Sequence, residues 1–480
     1  MASTTFRIAT TVLAVAAVVA PVSCTLNPAT GERQLTLMSE AQEIELGRRA
    51  VPQVLSTFGE YPDEEWQRYV SRLGNELAAV SERPDLPWGF HVLDDPLVNA
   101  FAYPGGQIYV TRGILAHFGS EAELASVLGH EIGHVTARHS VEQMSQQQLA
   151  QLGLGVAAIA SEDFRPYAPF AAAGLQVLFL KFSRDDERQS DDLGLRYMTR
   201  AGYDPREMPD VFRTLGRVNA ASGGGRVPAW QSTHPDPANR VERIEARIAH
   251  MPREQVGGVI ERNAYLRRLQ GMTFGTNPRH GYSIGSTFYH PEMAFQITFP
   301  DGWEIVNQRN VAGAVSPGKD AVVVLTVADA RSAAEAARSF FEPDAVEPGR
   351  SWQSDFYEFR ATDSQGGVVR GSVGFVTRGE VVLRLLAYTG DASYRGYAER
   401  LRRTLSSFRE LRDRHHLQVE PARIDIVELP ATMGFDEFLR RYPSTVTATE
   451  VAILNGVDAD QRLERGRLMK RIVGGELPGS

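Results

Sequence analysis

The chain has 480 residues, 42% of them hydrophobic and 23% charged, an ordinary globular composition for about two to four domains. Its 51 Lys and Arg are outnumbered by 59 Asp and Glu, giving a net charge of −8 with no long basic run, which argues against nucleic acid as a partner. The one cysteine, Cys24, excludes an internal disulfide.

The chain opens on MASTTFRIATTVLAVAAVVAPVSC. Arg7 precedes an apolar run from about Thr10 to Val22, too short to favour a bilayer span and suited to a secretory signal peptide over residues 1–23. Cys24 follows directly. Its placement resembles a bacterial lipobox, in which this cysteine is lipidated and becomes the mature N-terminus; Pro21 stands where Leu or Val is usual. The plainer reading is secretion with a chance cysteine. Thr25 in place of aspartate implies, by the same resemblance, the outer rather than the inner membrane of a Gram-negative-type envelope, on its periplasmic face. Residues 24–40 are polar and turn-rich and predict a lipid-anchored tether.

From Glu40 to Val80 the apolar spacing predicts helices. Residues 89–112 change period: GFHVLDD and GQIYVTRG alternate like strands, with Pro104-Gly105-Gly106 as a turn. One long helix is predicted from Glu121 to Leu149. Residues 152–180 are rich in Ala and Leu but broken by SEDFRPY, so no membrane-spanning run forms; SGGGR at 222–226 reads as a loop. Past Pro278 the texture changes to strand-like runs (AFQITFPDGWEIV, DAVVVLTVAD, EVVLRLLAYTG) around two helical ones, predicting an α+β accessory domain over 285–411. A polar linker leads to a last small unit over 421–474. No internal repeat is present.

The chemistry centres on VLGHEIGHV, residues 127–135. On a helix, residues four apart lie about 40° apart around the axis, so His130 and His134 can grip one ion from one face. Glu131, turned about 100° away, flanks the ion without ligating it, as a general base should. A helix with two surface histidines is the competing reading. For a third ligand, HExxHxxGxxH fails, because Ala137 and Ser140 occupy the required positions and His139 misses by one. His139 reads as a supporting or surface histidine. In SRDDERQSDDLG (183–194), Glu187 and Asp191 are four apart; one could ligate while the other accepts a ring N–H from a ligand histidine. Taken alone, with Asp185, Asp186 and Asp192 beside them, this run reads rather as a solvated acidic stretch.

Four blocks, NAFAYPGGQIYVTRGIL, LGHEIGHVTARHS, SRDDERQSDDLGL and STHPDPANRVERI, occur in this order over about residues 25–250 and together closely resemble the HtpX/Oma/BepA-like zinc metallopeptidases. The resemblance implies one zinc ion per chain, with His130, His134 and Glu187 as ligands, Glu131 as the base and Asp191 as the acid behind a ligand histidine. Ser190 stands where the family has alanine. His234 matches a histidine that approaches the zinc in some relatives, where it would either cap the metal in a latent state or stabilise the oxyanion. Arg240 matches an arginine near the cleft. The strand Gly106, Gln107, Ile108, Tyr109 and Val110 is read as a sheet edge on which an extended peptide adds as a further strand, or else as an ordinary sheet strand.

The fold class expected is therefore α+β: a mainly helical zincin-type metallopeptidase domain over 41–275 with a small edge-exposed sheet, then the accessory domain, loosely similar to PsbP/Mog-like domains, then the last unit. That unit, with LNG and LERGRLMKRIV, resembles a divergent LysM module, although the usual Gly-Asp-Thr is replaced by LPATMGFDEF. The function expected is hydrolysis of unfolded or misassembled envelope proteins, with peptidoglycan as a further partner. The alternatives are a non-proteolytic periplasmic chaperone or assembly factor and a peptidoglycan-associated scaffold.

Overall fold

The computed structural model describes residues 23–154, 181–221, 230, 233–234, 239–309, 311–343, 346–362 and 367–479. Residues 1–22 of the expected signal peptide, the apolar stretch after Leu154, the expected loop 222–226, and Pro235 and Pro237 lie outside these residues. No helix among the described residues is long and apolar enough to cross a membrane.

The expected tether is instead a docked hairpin, and this corrects the reading of residues 24–40. β1 (Ser23–Leu26) pairs antiparallel with β2 (Arg33–Thr36). Its polar side chains are buried because they satisfy another element: Asn27 Nδ2 and Gln34 Nε2 both donate to the Ala137 carbonyl, at 3.1 and 2.8 Å. Two helices follow, α1 (Glu40–Phe58), started by a Ser39–Gln42 capping box, and α2 (Glu64–Ala79), capped by Asp63.

A three-stranded sheet comes next, built from β3 (Gly89–Leu93), β4 (Ala100–Tyr103) and β5 (Gln107–Thr111). Its spatial order is β3-β5-β4. β5 is thus the middle strand, parallel to β3 and antiparallel to β4. The expectation that Gly106–Val110 forms a free edge is overturned, since both sides of β5 are already hydrogen-bonded. β4 is the outer strand beside the catalytic helix. Thr111 N–H donates to the Asn99 carbonyl. By the antiparallel alternation, residues 99, 101 and 103 face β5, while the N–H and C=O groups of Ala100 and Ala102 face outward.

After the short helix α3 (Arg112–His117) comes α4 (Glu121–Thr136), every residue of which is buried. The long helix expected to Leu149 is broken: Ala137 caps α4, Arg138 takes φ 60°, and α5 (His139–Leu154) starts anew. α6 (Arg184–Arg200), α7 (Met208–Ala221) and α8 (Arg240–Ala249) complete the helical layer.

Beyond residue 280, a seven-stranded antiparallel sheet carries the helices Ala333–Phe341 and Tyr394–Ser406 on separate apolar clusters. The last unit runs strand Arg423–Glu428, helix Phe435–Arg441, helix Ala448–Asn455 and strand Leu468–Val473, the two strands paired antiparallel. It is not detached. Ile424, Leu454, Leu468 and Ile472 enter the same core as Leu124 and Leu128 of α4.

Candidate metal centre and active site

α4 and α6 approach closely because small residues line their contact. A Cβ on Gly129 would lie 3.1 Å from the Gly194 carbonyl oxygen, and one on Gly133 3.1 Å from that of Ser190. A Cβ on Gly194 would lie 2.9 Å from the His130 nitrogen. Ser190 is small enough for this contact and also sets its Oγ 3.3 Å from His139 Nδ1. The approach sets the i, i+4 pair Glu187/Asp191 against the i, i+4 pair His130/His134. Sequence reading missed the three glycines; their recurrence on the faces of two helices that both carry site residues was the available signal.

His130, His134, Glu187 and His234 converge, and one donor atom from each lies within 4.8 Å of all the others. His130 Nε2 is 3.0 Å from His134 Nε2 and 3.4 Å from His234 Nδ1. Glu187 Oε1 is 2.9 Å from His234 Nδ1 and 3.4 Å from His134 Nε2, and its Oε2 is 3.5 Å from His130 Nε2. A tetrahedral ion with ligands at about 2.0–2.1 Å spaces its donors about 3.3–3.4 Å apart. The residues therefore fit a metal. Glu187 Oε2 and His234 Nε2 are buried without a hydrogen-bond partner, as is usual of groups that serve a site rather than a fold.

Neighbouring groups fix the ring tautomers. His130 Nδ1 lies 3.1 Å from Asp191 Oδ1, so its N–H donates there and Nε2 keeps its lone pair for the ion. Asp191 is held in turn by Arg240 Nε at 2.8 Å and Arg243 Nη2 at 2.9 Å. His139 is buried: its Nε2 lies 2.8 Å from Gln189 Oε1, and its Nδ1 lies 3.0 Å from His134 Nδ1. With Nε2–H donated to Gln189, Nδ1 accepts from His134, whose Nε2 is then free to ligate. The rest of the acidic run has other work. Asp186 forms a capping box with Ser183, Asp185 is exposed, and Asp192 pairs with Arg243 and Arg247.

Phe182 stacks on His134 with ring centroids 4.0 Å apart, and Trp230 stacks on His234 at 4.2 Å. The His234 N–H also donates to the Trp230 carbonyl at 2.8 Å. Sequence reading named neither aromatic, because nothing local distinguishes them from core residues.

Glu131 is fully buried, and neither carboxylate oxygen has a hydrogen-bond partner. Burial pushes it up to about 7, against the pull of His234; the backbone N–H of Ala102, on the outward side of β4, acts on it as well. Burial lowers His130 and takes His134 well below its usual value. For Glu187, burial is outweighed by His234 and His134, and its carboxyl stays well below the usual range. For His234, burial is outweighed by Glu187 and Glu131, and it is raised. Gly106 to Val110 lie one strand further from Glu131 than β4 does.

Comparisons with known proteins agree with this centre. Residues 64–248 match Peptidase family M48. The mitochondrial metalloendopeptidase OMA1 of Schizosaccharomyces pombe is 34% identical over 222 residues, covering 45% of this chain and 64% of that protein. The beta-barrel assembly-enhancing proteases of Yersinia pestis and Escherichia coli are 31% and 30% identical, each alignment covering 47% of this chain and about half of the relative. The alignments thus span 64% of the first of these relatives and slightly under half of the other two. Among solved structures, a cyanobacterial PsbP from Synechocystis is 14% identical over 27% of this chain with a TM-score of 0.21, too slight a likeness to rest anything on. Residues 64–248, which hold HExxH, Glu187 and His234, match the model of peptidase family M48, and the candidate metal-ligand geometry lies inside the matched segment.

Proposed function

We propose that this protein is a zinc-dependent endopeptidase that hydrolyses extended segments of unfolded or misassembled proteins of the bacterial cell envelope. The observation that carries the reading is the convergence of His130, His134 and Glu187 at metal-ligand spacing beside the buried Glu131 carboxylate. Bound zinc would supply a Lewis acid that polarises the scissile carbonyl and lowers the pKa of water.

The chain's own residues account for the rest of the chemistry. Glu131 accepts the proton of the attacking water and returns it to the leaving amine; a carboxyl near neutrality suits both transfers. The outward side of β4, at Ala100 and Ala102, has no strand partner and can take an extended peptide as a further strand, which β5 cannot. Asp191, Arg240 and His139 hold the ligand rings in one orientation. His234 supplies a fourth donor and holds the centre in a latent, closed form. The envelope substrate class rests on the names of the bacterial relatives, which refer to beta-barrel assembly. Cys24 is the proposed lipid attachment, at the start of the docked hairpin.

Glu131→Gln tests the assignment, because the base is not a ligand. It should keep about one equivalent of zinc and lose cleavage of a denatured protein. Cleavage at the wild-type rate by this variant would remove the basis for the reading.

A further inference from the structure

α1 lies outside every block that marks the metal site, yet it carries a buried carboxylate with no role in that site. Glu43 is 1% exposed. Its Oε1 accepts from Arg83 Nη1 at 2.8 Å and from the Gly105 backbone N–H at 3.4 Å. Its Oε2 accepts from Arg138 Nε at 3.0 Å and Arg83 Nη2 at 3.2 Å. The two arginines act on the end of the catalytic helix. Arg83 Nη1 also donates to the Val135 carbonyl at 2.9 Å, one residue after His134. Arg138 is the left-handed residue that ends α4, and its Nη2 donates to the Met38 carbonyl. Gly105, on the other side, belongs to the turn that joins β4 to β5.

One carboxylate therefore connects the turn of the outer strand to the C-terminal end of the helix that bears both histidines. The packing around it leaves no slack. A Cβ on Gly47 would lie 2.1 Å from the Pro104 carbonyl oxygen, and one on Gly105 2.7 Å from the Ile44 Cα. Gly105 has φ 77°, so a side chain there is strained as well as crowded. Two arginines balance Glu43 and Glu40, whose Oε2 accepts from Arg83 Nη2 at 2.9 Å. Apart from the exposed Glu40 this bidentate network is buried and stiff, and stiffness between strand and helix sets the depth at which a peptide lies against Glu131.

We propose that Glu43 is a positioning residue for hydrolysis: through Arg83, Arg138 and the Gly105 turn it fixes the spacing between β4, the substrate-pairing edge, and α4, the metal-binding helix. This rests on the endopeptidase reading above. Glu43 touches neither substrate nor metal.

The test uses the full-length, zinc-loaded protein and an extended fluorogenic peptide. Glu43→Gln keeps the shape of the side chain and removes its charge. The expected result is one equivalent of zinc, a raised KM, and kcat/KM per zinc-loaded molecule lowered on the order of 10²-fold, as a displacement of about 1 Å can produce. Hydrogen exchange over residues 99–106 should quicken while that of α6 stays unchanged. A purely structural role would lower only the active fraction, so kcat would fall with KM at the wild-type value; that result overturns the proposal. Should Glu43→Gln fail to fold, Arg138→Lys, which keeps the cation but loses the fork, is expected to raise KM in the same direction, and an unchanged KM there would equally overturn it. Failure of the endopeptidase reading looks different, for the wild-type protein itself would then not cleave the peptide.

Discussion

Replacing His234 separates two roles of opposite sign. Its ring is held in the closed position by two contacts that an open form would lose. Stacking on Trp230 at 4.2 Å contributes about 0.5–1.5 kcal/mol. The bond to the Glu187 carboxylate at 2.9 Å, which is to a charged group, contributes about 1.5–3 kcal/mol. Together these favour the closed centre by about 2–4.5 kcal/mol, so the open form is on the order of 10⁻² to 10⁻³ of the population. If His234 keeps the centre latent, His234→Ala should therefore raise peptide hydrolysis on the order of 10²- to 10³-fold at equal zinc content, self-cleavage included. His234→Phe is the sharper variant. Phenylalanine preserves a stack on Trp230 but has no nitrogen to offer, so activation by both variants assigns the effect to the donor atom rather than to packing. The assay is turnover of a fluorogenic peptide normalised to bound metal. A fall of about 10²-fold with zinc retained would refute latency and assign His234 to the developing oxyanion.

Two further outcomes follow from the same structure. Lys470, buried in the last strand, donates to the carbonyls of Ala116 and Phe118 at 2.9 and 2.8 Å, and burial pushes its ammonium down while Glu123 on α4 holds it up. Lys470→Met leaves both carbonyls without their donor and removes one of the two cations that act on Glu123, and should cost about 3–5 kcal/mol in urea unfolding; an unchanged midpoint would show that the buried contact is unimportant. Cys24→Ser should move the protein from the membrane to the soluble periplasmic fraction, and retention after a high-salt wash would exclude the lipid as its anchor.

The metal site was legible to the extent that it is made of helical repeats. Site residues at i and i+4 on two helices are a local pattern, and the sequence carries it whole in the donors His130/His134 and in Glu187 with Asp191, which orients a donor. The depth of the site was not local. The sheet order β3-β5-β4 depends on a parallel pairing between strands separated in sequence, and nothing in the alternation of GQIYVT says whether it will be flanked. The four residues of β4, Ala100–Tyr103, are nearly all buried and show no alternation at all, so the true outer strand was the one with the weaker signal. The hairpin before α1 misled for a different reason. Asn27 and Gln34 look solvated, but they are buried as donors to the end of a helix whose last carbonyls need partners. Polarity in a sequence says that a group needs a hydrogen bond; it does not say whether water supplies it.

The same distinction explains why the last unit reads as a separate module and yet packs with α4. Changes of texture mark changes of local period, whereas a core is defined by which surfaces are removed from water together. Ile424, Leu454, Leu468 and Ile472 are apolar positions of a small strand-helix-helix-strand unit, and every one of them is buried with α4. This has a mechanical consequence for the site. Histidine ligands four residues apart hold an ion well only if their helix is held to within about half an ångström, and a motif of five residues cannot do that for itself. The start of α4 is held by Glu123, facing Lys470 from the far end of the chain, and its end by Arg83, Arg138 and Glu43 from the beginning. A truncation that keeps all of residues 64–248 but stops at residue 411 would retain every ligand. It would also expose part of the core behind the ligand helix, so the matched segment contains the chemistry without containing all of what holds it in place.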